Sequence, residues 1–474
     1  MKKRILSSIL ILTLFVSLSA CSFNEQQEVI EIEEMEAEQS VGTSFDILGG
    51  KDVMPIAGYY GPFTESFSSN GQAIPDYVTD EYFQMIADSG VNLIVSSMAD
   101  YKNNPSTIRN ILDLGEKYDI GIFIRDSYIT DNRGENTLSL EEINLRLSEY
   151  RNHNAFCGLT VVDEPGSEVY YQQGGNGGMM EEYPQLSKML TQDCDVFCYE
   201  NLIKITSMSQ KEAYEQYIKQ FCETMYPTNL SYDYYPWDTG DTRGDFTRYF
   251  WNLALVREYA QKYEIPFWVF IQAGSQWSDG AQAFDSGEYV PTEGEFDWSV
   301  NMSLAFGAQG IQYFPLIQPY YFAYAESEEF DFERNGMIGA WGNKNRWYYY
   351  AQDINEHIAA IDEVLMNSVS KGIIVSGQKA QEYCADTREA VLDGTSWREL
   401  TDVSGNTIVG CFNYQGKTAL YVVNNDYEWA QDITLNFQDT YKVRVLQAAD
   451  TKYLATNQLT LNMEAGEGVL VVFE

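Results

Sequence analysis

Two adjacent carboxylates at the end of an apolar run, Asp163 and Glu164, are the residues of this sequence best placed to do chemistry. They close the stretch LTVVDEPG, Leu159 to Gly166, in which Pro165 forbids a strand to continue. A buried strand that stops at two acids and a turn sets those acids at a rim that a substrate can reach. Standing alone, Asp-Glu-Pro more often opens a helix, where acids answer free backbone N–H groups. Its place in the chain reverses that preference.

Few other groups are available for catalysis. The 474 residues include only two histidines, His153 in a turn and His357 in a long amphipathic helix. Neither lies near another cluster of ligand-type residues, so His-bound zinc and Ser-His-Asp triads have almost no material. Catalysis is left to carboxylates, tyrosines or cysteines, and no cofactor or metal is expected. Of seven cysteines, Cys157, Cys194, Cys198, Cys222, Cys384 and Cys411 lack disulfide or metal spacing and read as buried free thiols. The formal charge of −40 and the lack of a basic stripe exclude nucleic acid as a partner. The 35 Tyr, 24 Phe and 9 Trp are core filler first, but such rings are also surfaces on which sugars stack.

The elements that must position these acids alternate between strand and helix. From Asp52 the pattern predicts strands at Val53–Tyr60, Val91–Ser96, Ile120–Ile124, the run ending at Asp163, Val196–Ile203, Asn229–Tyr235, Pro266–Ile271 and Gly310–Leu316. Amphipathic helices separate them; one is capped by Ser139 with Glu142 at capping-box spacing. About eight βα units over this length predict a closed (β/α)8 barrel of the TIM type, over residues 44–341. No glycine-rich phosphate turn follows the first strand, which disfavours the open doubly wound sheet. A barrel-closing helix is expected over 342–369. Over 370–474 the period switches to two with turn signals, predicting a small antiparallel β-sandwich.

In such a barrel the C-terminal strand ends build the active face. Read in order, they supply Tyr59 and Tyr60, Ser96 and Ser97, Arg125 and Asp126, Asp163 and Glu164, and Asn201. Tyr232, Asp233 and Tyr235 follow, then Gln272, Phe314 and the loop from Gln318 to Tyr321. Carboxylates among aromatic rings, without histidine, fit cleavage of a glycosidic bond. That reaction needs an acid for the leaving oxygen and a second group to stabilise an oxocarbenium-like centre. Glu164 is the expected acid, its pKa raised by apolar walls. Asp163 and Asp233 are the other catalytic candidates. Tyr59, Tyr60, Arg125, Asn201, Tyr232, Tyr235, Gln272 and Phe314 are expected to line an oligosaccharide or polysaccharide site.

On these residues the chain resembles the (β/α)8 glycoside hydrolases of the clan that holds β-galactosidases and cellulases. In that clan a strand-four Asn-Glu-Pro supplies the acid/base, and Asp163-Glu164-Pro165 stands in its place. Gly307-Ala308-Gln309-Gly310-Ile311, the helix from Trp341 and the terminal AGEGVLVVF resemble the end of such barrels. The resemblance implies a nucleophilic Glu on strand seven, where this chain has Gln272. The nucleophile or base is then Asp233 or an acid between Asp279 and Glu295, or catalysis is lost, or the substrate supplies its own nucleophile. The adjacent Asp-Glu also resembles the β-N-acetylhexosaminidases, in which the Asp orients an acetamido group. Tyr232-Asp233 is similar to the Tyr-Asp of chitinases. Asp163 and Glu164 point to opposite faces of a regular strand, so they cooperate only if its end bends. The rival reading is a non-catalytic glycan-binding lipoprotein.

The lipoprotein reading comes from the first residues. Lys2, Lys3 and Arg4, an apolar run from Ile5 to Leu18, and Leu18-Ser19-Ala20-Cys21 resemble a bacterial lipobox export signal over 1–21. Cys21 is the expected lipidation site, and residues 22–43 an acidic disordered tether. The expected location is extracytoplasmic, held to a bacterial membrane through the N-terminal lipid only.

Overall fold

A computed structural model describes residues 45–64, 75–174, 177–237, 244–274, 291–318, 336–387, 390–448 and 450–474. Cys21, the 1–21 signal, the 22–43 tether, the acids at 279–290 and residues 319–321 of the predicted loop lie outside these.

Eight parallel strands close into a barrel in sequence order. They are β1 Ile56–Tyr59, β2 Leu93–Asp100, β3 Gly121–Arg125, β4 Phe156–Asp163, β5 Cys198–Leu202, β6 Leu230–Tyr232, β7 Phe267–Gln272 and β8 Ile311–Phe314. The ring is completed by β1 pairing with both β2 and β8, through Ala57↔Leu93 and Ala57↔Gln312. β1, β5, β6 and β8 are shorter than their apolar runs, because residues beyond the last ladder bond turn into loops, whereas β2 runs on to Asp100. The Ser139–Glu142 capping box forms as expected and starts the helix Leu140–Leu147.

Alternation along the strands divides two apolar layers. Ala57, Leu93, Val95, Phe123, Tyr199, Trp268 and Phe270 fill the barrel interior. Phe45 plugs the same interior, its ring 5.8 Å from Phe123 and 5.3 Å from Phe197. Each buried ring of this kind contributes roughly 1.5–3 kcal/mol. Gly310 is required beside Trp268, since a Cβ there would lie 2.6 Å from the indole. The outward strand residues pack under the helices, and all six cysteines from Cys157 to Cys411 are buried free thiols.

One outward residue is a carboxylic acid. Glu200 of β5 is fully buried, with Oε1 accepting from Ser187 Oγ at 3.0 Å and Oε2 without a partner. Burial pushes its pKa up to about 8. The folded chain therefore holds a proton that the unfolded chain releases near pH 4.5. Stability falls as pH rises from there through about 8, by about 1.4 kcal/mol for each pH unit. Glu200→Gln is expected to melt several degrees above wild type at about pH 8.5 and close to it at about pH 4.5. Calorimetry at the two pH values checks this, and a pH-independent difference refutes it.

The helix Arg346–Met366 follows the barrel, shorter at both ends than predicted. Beyond it lies one continuous antiparallel sheet, which supplies the expected sandwich by curling. Its strands are β9 Ser368–Ser376, β10 Leu400–Val403, β11 Thr407–Tyr414, β12 Lys417–Asn424, β13 Gln431–Gln447, β14 Asp450–Met463 and β15 Gly468–Phe473. The first half of β13 pairs with β10 and the second with β15, so one long strand carries the sheet around its own core. The helix Glu293–Ala305 sits between this sheet and the barrel. Its Trp298 Nε1 donates to Asn425 Oδ1 (3.1 Å), and Asn301 Oδ1 accepts from the Tyr421 hydroxyl (2.6 Å).

Candidate active site

The end of β4 is built to bend. Its pairing with β5 slips between Thr160 and Val162, a bulge that re-aims the following side chains. Asp163 then pairs with Asn201, and Glu164 N donates to Asn201 O at 2.8 Å. Glu164 itself has φ +49°, left-handed backbone that costs a non-glycine residue roughly 1–3 kcal/mol. That turn meets the condition the sequence sets, for Glu164 now faces the same centre as Asp163. The Tyr217 hydroxyl donates to Pro165 O (2.8 Å), and Gly166 N to Gly178 O (2.8 Å), clamping the turn from two sides. Gly177 lies so close to the strand end that a Cβ would meet Val162 Cγ2 at 2.2 Å.

Two carboxylates, Asp163 and Asp233, meet at Asn201, and Glu164 joins them through Asp233. Its Nδ2 donates to Asp163 Oδ1 and to Asp233 Oδ1, both at 3.2 Å, while its Oδ1 accepts from Ser231 Oγ at 3.0 Å. The reverse amide orientation would set a carbonyl against two carboxylates. Ser231 is fixed in turn by Gln312 Nε2 at 2.8 Å and by the Tyr199 hydroxyl at 3.1 Å. A buried polar chain thus runs across the barrel under the acids.

The Glu164 and Asp233 carboxyls lie within hydrogen-bonding reach of each other, an arrangement that favours keeping one of them neutral. The Asp233 charge is the largest cause that raises the Glu164 pKa well above the usual carboxylate range; burial and Asp163 add to it. Two full charges about 4 Å apart at an effective dielectric near 20 repel by about 4 kcal/mol, enough to keep one acid neutral at about pH 7. Asp233 is also raised, by burial first. The Lys204 ammonium opposes both shifts and holds net charge on the pair. Lys204 is a site residue that the strand-end inventory misses. Its signal is a lone basic residue in the apolar run NLIKI just past β5.

The other predicted residues divide. Tyr235 faces the acids: its hydroxyl pKa is raised by burial and then by Asp233, Glu164 and Asp163. Its ring stacks on Phe314, with centroids 5.8 Å apart. Tyr59 is buried beneath, within the field of Asp163, and Tyr60 packs edge-on to Phe314 at 5.4 Å. Tyr59, Tyr60, Arg125 and Asp163 all line one cavity of about 400 Å³. Tyr232 does not join them: it points outward into the layer beneath the helices and is fully buried. As neighbours on a strand, Tyr232 and Asp233 cannot both face the mouth. Gln272 is buried at the end of β7, and its Nε2 donates to Gly274 O (2.9 Å). Asp126 caps a short helix and pairs with Arg146 at 2.7 Å, a structural role. In the same way Glu295 closes a capping box with Thr292.

No protein-family model and no curated protein matches the chain. Similar solved structures include a GH30 endoxylanase from Clostridium papyrosolvens C71, 11% identical, covering 92% of this chain and 98% of that one, TM-score 0.45. A GH27 β-L-arabinopyranosidase from Geobacillus stearothermophilus is 10% identical over 91% of this chain and 99% of that one, TM-score 0.45. The GH99 endo-α-mannosidase from Bacteriodes thetaiotaomicron is 10% identical over 65% and 97%, TM-score 0.42. These structural neighbours are glycoside hydrolases, and the likeness is one of fold.

Proposed function

We propose that the chain is a glycoside hydrolase in which Glu164 is the acid/base and Asp233 the facing carboxylate. One observation carries this reading: the Glu164 and Asp233 carboxyls lie within hydrogen-bonding reach of each other at the C-terminal mouth of the barrel, where like-charge repulsion favours the state with one of them protonated. That state holds a donor and an anion side by side at neutral pH, as glycosidic cleavage demands.

The pair stands in hydrogen-bond contact, which leaves no room for a water between the two carboxyls. Inverting pairs need about 6.5–9.5 Å for that water, retaining pairs about 5–5.5 Å. The retaining route needs the smaller separation as a sugar displaces the hydrogen bond. In the first step an Asp233 oxygen bonds the anomeric carbon, the bond to the leaving oxygen breaks, and Glu164 gives that oxygen its proton. In the second, Glu164 takes a proton from water, whose oxygen bonds the anomeric carbon as Asp233 departs. Asn201 orients Asp233 and Asp163, and Lys204 favours the anionic form between steps. Early-time proton NMR of the released sugar tests this. Retained configuration is expected; inversion removes Asp233 as nucleophile.

The Gln272 amide favours a second reading, glycan binding without turnover, because the resemblance to the β-galactosidase clan implies an acid there. Binding with no hydrolysis across a broad panel of glycosides and glycans would select it.

The reading includes a lipid anchor at Cys21 that holds the enzyme outside the cytoplasm on a bacterial membrane. Its support is the Lys-Lys-Arg start, apolar run and Leu-Ser-Ala-Cys of the sequence. Cys21→Ala is expected to abolish fatty-acid labelling and to deplete the protein from washed membranes. Unchanged labelling would remove the anchor.

A further inference from the structure

The cavity beside Asp163 contains a charge that the acid pair does not use. It lies among the ends of β1 to β4 and the loop from Gly177 to Tyr183. Arg125, the last residue of β3, lines it and is exposed. Its Nη1 donates to Ser97 O at 3.0 Å, and it has no carboxylate partner among the described residues. Arg133 lines the same cavity in a fixed pose, with Nε donating to Glu182 Oε2 (2.8 Å) and its guanidinium 4.8 Å over the Tyr183 ring. Thr160, 6% exposed and also in the lining, has an Oγ1 without any hydrogen-bond partner.

Two acids, Asp131 and Asp163, share this lining. Asp163 accepts from Asn201, and the Asp131 charge lies in the field of Arg133, whose hydrogen-bonded carboxylate partner is Glu182. The unanswered group is the Arg125 fork, in a chain with 70 acidic and 30 basic residues. A planar guanidinium with free N–H groups matches a carboxylate or sulfate bidentately. A hollow of this size admits a sugar ring beside the reacting centre.

We infer that this cavity binds an anionic substituent of the glycan, a uronate carboxylate or a sulfate, through Arg125 with Arg133 as second cation and Thr160 as hydroxyl partner. The inference rests on the proposed glycosidase function for placing a sugar at the neighbouring acids. Its test reads binding, so that turnover does not enter.

The full chain carrying Glu164→Gln is titrated calorimetrically with a glucuronate-containing oligosaccharide, its carboxyl-reduced counterpart and a sulfated counterpart. A charged hydrogen-bonded pair predicts an acidic-over-reduced preference of about 10- to 100-fold, falling with salt. Arg125→Met is expected to bring that ratio close to one, and Arg125→Lys to retain part of it. The substituent with the preference, carboxylate or sulfate, is the natural one. Equal binding of all three, or a preference that survives Arg125→Met in a chain that Arg125→Lys shows to be folded, overturns the inference. Acid-selective binding by an enzyme without turnover would sustain it and refute hydrolysis; hydrolysis without acid preference would do the reverse.

Discussion

Glu164→Gln is expected to lower kcat/KM on natural glycans by about 10²–10⁴-fold, the usual contribution of a positioned proton donor. The loss should be much smaller on aryl glycosides whose phenolate departs without a proton. This contrast separates a missing acid from a damaged site, since damage would affect both substrates. Gln keeps the Cβ and the left-handed backbone of residue 164 and can still hydrogen-bond Asp233, so the comparison isolates the proton. Full activity of this variant on both substrates would end the assignment.

Asp233→Asn should produce the second large effect, a loss of at least about 10³-fold in kcat, as for a residue that acts as one unit with its partner. It should also move a pH limb. The Asp233 charge is the largest cause of the raised Glu164 pKa, so removing it leaves burial and Asp163 against Lys204. Loss of a neighbouring negative charge lowers a carboxyl pKa. With a repulsion of about 4 kcal/mol at stake, the alkaline limb of residual turnover should move more than about one pH unit toward acid. Azide is expected to rescue turnover with the opposite anomeric product, because it replaces the missing carboxylate. An alkaline limb that stays in place would show that the two acids do not share a proton in solution.

The barrel is legible because its strands are continuous apolar runs with polar ends, and that contrast survives in a single sequence. The mouth is legible in part. Asp163, Glu164, Asp233 and Asn201 converge because strand ends converge in any closed barrel. Tyr232 is displaced by one residue of register: only the position of the strand end tells which of two neighbours points inward. Lys204 escapes an inventory of strand ends because it follows β5 by two residues, and its signal, a lone basic residue in an apolar run, shows only when the loop itself is read. The strand β14, Asp450–Met463, is hidden because its first half is exposed and without alternation, which leaves only the short run Leu459, Leu461 and Met463 on the buried face. In β13 the polar middle, Gln438 to Thr440, is exposed while both halves are partly buried, so the alternating pattern breaks within one strand.

The helix Glu293–Ala305 has a consequence for how such a chain can be taken apart or recombined. It is buried nearly all round, with barrel on one side and the curled sheet on the other. Gly466 approaches it so closely that a Cβ would stand 2.7 Å from Trp298 N. Strand residues Phe412, Tyr421 and Leu470 of the sheet belong to the same apolar cluster as the barrel's outer layer. The sheet is therefore a wall of the barrel, not an appendage strung after it. A graft or excision at residue 370 would cut the chain at one point but the core through its middle. Exchangeable pieces of this protein lie at its rim loops, where specificity can be rewritten without reopening that wall.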